Sequence, residues 1–185
     1  GVNPYPPNFT PTHYSESITI NFEKLEGEDV VVAGRIMAVR RMGKASFFRI
    51  MDNEGAIQVF IKKDDIGEKS YGNFKLFDIG DFVGVNGQVF KTKTGEISIR
   101  TSELTLLAKN IRPLPVVKEK DGVIYDSFSD KEQRYRNRHL DLLLNPGVKN
   151  TFIKRTKIIQ FIRTFLDEHK FLEVETPVLQ PIYGG

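Results

Sequence analysis

The chain has 185 residues, 39% hydrophobic and 28% charged, with 14 Phe, no Trp and no Cys. That is an ordinary globular composition, long enough for one domain and part of another, and it excludes disulfides and thiolate metal sites. The net charge of +3 argues only weakly for a polyanionic partner, so the placement of charge carries the argument. No apolar run approaches the ~20 residues of a membrane helix, and the N-terminus lacks the charged-then-apolar order of a signal peptide, so a cytoplasmic location is expected.

Residues 1–27 predict an arm and a short helix. Pro4, Pro6, Pro7 and Pro11 forbid a helix in the arm. Ile18, Phe22 and Leu25 have helical spacing, although Ile18, Thr19 and Ile20 are β-branched. Residues 28–108 predict a strand series. The first strand covers 29–41 and turns at 42–44; the second covers 45–51. Asp52, Asn53, Glu54 and Gly55 are turn formers, so the second strand and the third, 56–61, should form a hairpin. Residues 64–77 change to helical spacing through Ile66, Tyr71, Phe74 and Phe77, weakened by Gly67 and Gly72. The fourth strand is 81–91, and Thr94-Gly95 turns into the fifth, 96–107.

Five strands with one helical insert between the third and fourth predict an all-β OB-fold, a five-stranded Greek-key barrel. Its binding face crosses strands two and three, helped by the loops joining strands one to two and four to five. That puts Phe47 and Gln58 on the face, Lys44 in the first loop and residues 91–96 in the second, with Ile57 and Val59 pointing inward. Residues 34–44 carry Arg35, Arg40, Arg41 and Lys44 with no acid among them, and Phe47 and Phe48 follow. Cations beside aromatic rings suit unpaired nucleotides, because phosphates attract charge and bases stack on flat faces.

Residues 109–128, with Arg112-Pro113-Leu114-Pro115, predict a linker. Ser129 and Glu132 have capping-box spacing and open a helix to about 144. Asn145-Pro146 ends it and starts a second helix to about 170, burying Phe152, Ile159, Ile162 and Leu166. Residues 171–174 predict a strand, broken at Thr176-Pro177. A helical pair and one strand cannot enclose a core, so residues 129–185 should be the truncated start of an α/β domain. Lys149, Lys154, Arg155, Lys157 and Arg163 form a second acid-free cluster that suits RNA, a subunit interface or solvent equally. His13, His139 and His169 lie far apart without ligand spacing, and Glu173 with Glu175 reads as a salt-bridged pair; no catalytic residue and no metal site is expected.

The segments VAGRI, GKASFF, GAIQVF, KTKTGEISI and RPLP, then EQRYRNRHLDLL and FLEVETPVL, in this order, resemble a class II lysyl-tRNA synthetase of bacterial type, from about Asn3 to Gly185. The resemblance implies an N-terminal fragment holding the anticodon-binding OB domain and the first class II motif, whose proline would be Pro177 at the homodimer interface. The motifs that hold ATP and the lysine-binding residues do not occur here. ATP and Mg2+ would therefore serve the whole enzyme, none would be bound by these 185 residues, and these residues alone should not aminoacylate tRNA. The central anticodon uridine would stack on Phe47, with its edge read by Arg35, Gln58 and Glu96; Arg40, Arg41 and Lys44 would meet phosphates. Other readings stay open: Phe47 in the core with Phe48 outside, Arg35 paired with Asp81 or Glu103, and Glu96 merely closing its turn. An aspartyl- or asparaginyl-tRNA synthetase, a free-standing single-strand-binding OB protein and a protein-interaction OB module are the alternatives at the level of the whole chain.

Overall fold

The computed structural model of the chain describes residues 3, 5–6, 8–115, 118–120, 123–125 and 128–177. Pro4 and Pro7 of the arm, part of the expected linker, and residues 178–185, which include the end of FLEVETPVL, lie outside them. The chain divides into two units, Gly1–Leu114 and Pro115–Gly185.

In the first unit, α1 (Ser15–Ile20) and α2 (Phe22–Leu25) precede β1 (Asp29–Met42), β2 (Ala45–Met51) and β3 (Ala56–Lys62). Then come α3 (Lys63–Ile66), α4 (Glu68–Phe74), β4 (Phe82–Lys91) and β5 (Ile97–Ala108). The strands close a barrel in the order β1-β2-β3-β5-β4. Every pairing is antiparallel except β3 with β5. This is the five-stranded OB-fold that the strand count predicted. The helical insert is interrupted at Gly67, whose φ of 83° is costly for any residue with a Cβ; it forms α3 and α4 instead of one helix.

Period-2 alternation fills the barrel. Val30, Val32, Ile36, Phe48, Ile50, Ile57, Val59, Ile61, Val83, Val85, Val89 and Ile99 point inward, and Ile18 with Tyr71, Phe74 and Phe77 close over them. Each such side chain contributes roughly 1.5–3 kcal/mol on full burial. Phe48 is 2% exposed, so it is Phe48 and not Phe47 that belongs to the core. Asp52 in the β2–β3 turn accepts from the backbone N–H (2.6 Å) and hydroxyl (2.8 Å) of Ser15. The same carboxylate accepts from the N–H groups of Glu54 and Gly55, so one side chain shapes the turn and anchors α1. The arm is tied down too: the N–H groups of Thr12 and His13 donate to Val31 O, and the Phe9 ring occupies the space over Gly84.

Gly87 sits where the β4–β5 register shifts, and a Cβ there would fall onto the Arg100 carbonyl. Gly87→Ala is therefore expected to cost about 1–3 kcal/mol in urea unfolding. Gly72 in α4 has open space around its Cβ position, so Gly72→Ala should be neutral or stabilise by up to about 1 kcal/mol. Equal behaviour of the two variants would contradict this packing.

In the second unit a short hairpin, β6 (Lys118–Lys120) and β7 (Val123–Tyr125), occupies part of the span expected to be linker. Then come α5 (Lys131–Arg136), α6 (Arg138–Leu144) and α7 (Pro146–Glu168). The cap differs from the expected box. Asp130 takes the N-cap role, accepting from Gln133 N–H at 2.9 Å, and Glu132 instead pairs with Arg136 one turn on. The expected single helix breaks at Asn137 (φ −119°, ψ 58°). Buried Asp141 gathers the pieces: Arg134, Arg138 and Asn145 all donate to its carboxylate. Burial pushes its pKa up, but the hydrogen bonds from Arg134 and Asn145 and the two arginine charges outweigh that, holding it below the ordinary aspartate value.

Two expectations fail in this unit. Phe152, Ile159, Ile162 and Leu166 form an apolar stripe on α7 but are exposed, not buried; the pattern gives the stripe's position, not a cover for it. Residues 171–174 are not a strand, because an extended segment needs a neighbour to complete its ladder, and Phe171 and Leu172 stand 65% and 86% exposed. Glu173 is an ion-pair residue, bound to Arg163 at 3.0 Å. Pro177 is exposed. Among the described residues no helix is long and apolar enough to cross a membrane.

Candidate nucleic-acid interface

The outer face of β1, β2, β3 and β5 carries two rows of side chains. The register sets Arg40 opposite Phe47, Phe47 opposite Phe60, and Phe60 opposite Arg100. The next row runs Ala38, Arg49, Gln58, Ser98. A bulge between Ile36 and Ala38 makes this possible. It shifts the alternation of β1, so that even-numbered residues beyond it point outward where odd-numbered ones did before.

The aromatic rings adjoin one another. Phe47 and Phe60 have centroids 5.0 Å apart at 45°, and Phe60 and Phe90 lie 6.2 Å apart near edge-to-face. With the β4–β5 loop they line a cleft of about 720 Å³ that also takes in Arg40, Arg49, Gln58, Thr92, Lys93, Thr94 and Glu96. The loop is tightly built: Gly95, at φ 88°, permits the turn. Thr92 N–H donates to Glu96 O at 2.9 Å, and Glu96 N–H donates to Thr92 Oγ1 at 2.9 Å. The Glu96 carboxylate meets Arg49 Nη1 at 3.2 Å. Gln58 gives an amide N–H to Ser98 Oγ at 3.0 Å, and Ser98 in turn donates to Glu96 O. Glu96 thus does more than close its turn.

Of the residues read from sequence, Phe47, Gln58, Glu96 and Arg40 come together in this cleft. Arg35 does not. It lies on the far side of the bulge, donates to Gly80 O at 2.9 Å and stacks over the Phe82 ring at 4.0 Å; burial lowers its pKa. Neither acid considered for it is its partner, since Asp81 binds Lys109 and Glu103 binds Asn86. Arg41 also departs: its guanidinium donates to Phe77 O at 3.0 Å, tying β1 to the chain after α4. Lys44 is exposed on the β1–β2 turn, and its charge acts on Asp64 of α3.

Arg49 and Phe90 belong to the cleft and were missed, while Phe60 lies in it on the outward side that strand alternation gives it with Gln58. Alternation would have found Arg49 as well, because it follows Phe47 by two residues. Chemically, the cleft offers a flat apolar face, amide and carboxylate groups for hydrogen bonding, and cations at the edge. That set suits an unpaired base with its backbone phosphate. Among the described residues no cluster of three or more His, Cys, Asp or Glu is placed to hold a metal ion.

Comparison with known proteins agrees with this chemistry. Residues 30–114 match the family of OB-fold nucleic acid binding domains, and residues 130–185 match the tRNA synthetases class II (D, K and N). Over its whole length the chain is 51% identical to the lysine–tRNA ligases of two Porphyromonas gingivalis strains, and it spans 34% of each.

Proposed function

Because this chain belongs with the class II tRNA synthetases of the D, K and N group, we propose that its barrel binds the anticodon of a lysine tRNA. The observation that carries this reading is the meeting of Phe47, Gln58, Glu96 and Arg40 in one cleft. Phe47 stacks the central uridine. Uracil presents two carbonyl acceptors and one N–H; Gln58 can meet either kind of group, and Glu96 accepts from the N–H. Arg40, directly across from Phe47, takes the position first expected for Arg35 and donates to a base carbonyl or the adjoining phosphate. A cytosine would present an amino group and a bare N3, and the pattern would mismatch.

The whole protein, on this proposal, is a cytoplasmic lysine–tRNA ligase that uses ATP and Mg2+. The described residues hold no metal cluster, and no step is assigned to them in that chemistry. Homodimerisation through the region of α7 and Pro177 is part of the same proposal, and the exposed apolar stripe of α7 supports it.

The test is binding of anticodon stem-loops at fixed salt. UUU should bind more tightly than UCU, GUC or GUU. Equal binding of UUU and unstructured poly(dT) would instead make the barrel a general single-strand binder. Gln58→Ala should reduce the UUU-over-UCU preference by about 1 kcal/mol while changing affinity for UCU little; an equal loss for both RNAs would remove Gln58 from base reading.

A further inference from the structure

We propose that Arg49 is a specificity-determining residue of the cleft, positioning the Glu96 carboxylate as an acceptor aimed at the base. The inference rests on the base-reading role proposed above. Glu96 is held at its backbone by Thr92, through the Thr92 N–H on its carbonyl and its own N–H on Thr92 Oγ1. That fixes where the side chain starts but leaves its rotatable bonds free. Arg49 fixes the other end, at 3.2 Å from Glu96 Oε1.

Its position suits this task. Arg49 leaves β2 on the same face as Phe47, between Ala38 and Gln58 in the register. Ala38 has no polar side-chain group, and Gln58 points an amide N–H at Ser98. The guanidinium is thereby directed to Glu96. One carboxylate oxygen is then taken, and the other remains to accept from uracil N3–H. Against cytosine that second oxygen, kept in place by the held carboxylate, faces the N3 lone pair, so two acceptors oppose each other. Without Arg49 the carboxylate can swing away from cytosine and toward solvent, and the rejection weakens. Arg49 and Glu96 side chains are 53% and 42% exposed, so the pair adds little to folding stability, and its loss leaves the barrel intact.

The experiment measures binding of UUU and UCU stem-loops to the 185-residue chain carrying R49A, E96A or both. R49A should unfold thermally like the wild type and lower the UUU-over-UCU preference by up to about fivefold, the scale of an exposed ion pair. In the E96A background, R49A should change the preference no further. Two results would overturn the proposal. An equal loss for both RNAs with a flatter salt dependence would make Arg49 a phosphate contact. A loss of preference undiminished in the E96A background would make Arg49 a direct reader of the base. Failure of the base-reading role itself shows separately, as F47A leaving both RNAs bound as before.

Discussion

Phe47→Ala weakens binding of the UUU stem-loop by about 1–3 kcal/mol, the worth of one base stacked on an aromatic ring, and leaves the barrel folded. The ring points out of β2 and shares the cleft with Phe60. Truncation therefore removes a face for the base and opens no core cavity. Its neighbour provides the contrast. Phe48 is 2% exposed and packs on Phe74 at 5.3 Å, so Phe48→Ala should cost about 3–5 kcal/mol of stability. Anisotropy titrations at constant salt, paired with urea unfolding, separate the two effects. Unchanged RNA affinity in Phe47→Ala, with the fold retained, would remove the stacking role and with it the proposed binding mode.

Where the sequence constrained backbone geometry strongly, it was legible. Ile57, Gln58, Val59 and Phe60 alternate, and the strand they predict has Ile57 and Val59 inside at 2% and 0% exposure. Asp52 to Gly55 predicts a turn that the structure contains, although nothing local foretold that Asp52 would also hold Ser15, 37 residues earlier. The bulge at Met37 was not legible. Ile36, Met37 and Ala38 include no glycine or proline, and the irregularity arises from how β1 leaves β4 to pair with β2. Its consequence was large, since it carries Arg40 to the outer face beside Phe47 and leaves Arg35 against Phe82. In α7 the sequence located the apolar stripe correctly, but periodicity says which residues share a side and not what covers them. The Ser129 and Glu132 spacing pointed to a cap one residue early, since Asp130 is the N-cap and spacing alone cannot choose between adjacent good N-cap residues.

The backbone at the start of that bulge is tied to Asp81, whose buried carboxylate is held by three donors, and Asp81→Ala should be the most damaging polar substitution in the first unit. Asp81 is fully buried. It accepts from Lys109 Nζ at 2.8 Å, Asn110 N–H at 2.7 Å and Asp78 N–H at 2.9 Å. Its own carbonyl accepts from Ile36 N–H, and Gly80 N–H donates back to Ile36 O, so the residue joins the start of the bulge to the start of β4. Burial pushes the Lys109 pKa down, but its bonds to Asp78 and Asp81 prevail and raise it. Alanine would remove all three acceptor contacts at once, stranding two backbone N–H groups and half of the lysine's anionic partners. A loss of about 3–5 kcal/mol follows, read as a lower urea midpoint with an unchanged slope. Asp81→Asn keeps an oxygen for the backbone donors and should lose less. An Asp81→Ala midpoint within error of the wild type would show that the Ile36–Gly80 backbone pair holds the bulge unaided, and Arg40 would then owe its place opposite Phe47 to the strands alone.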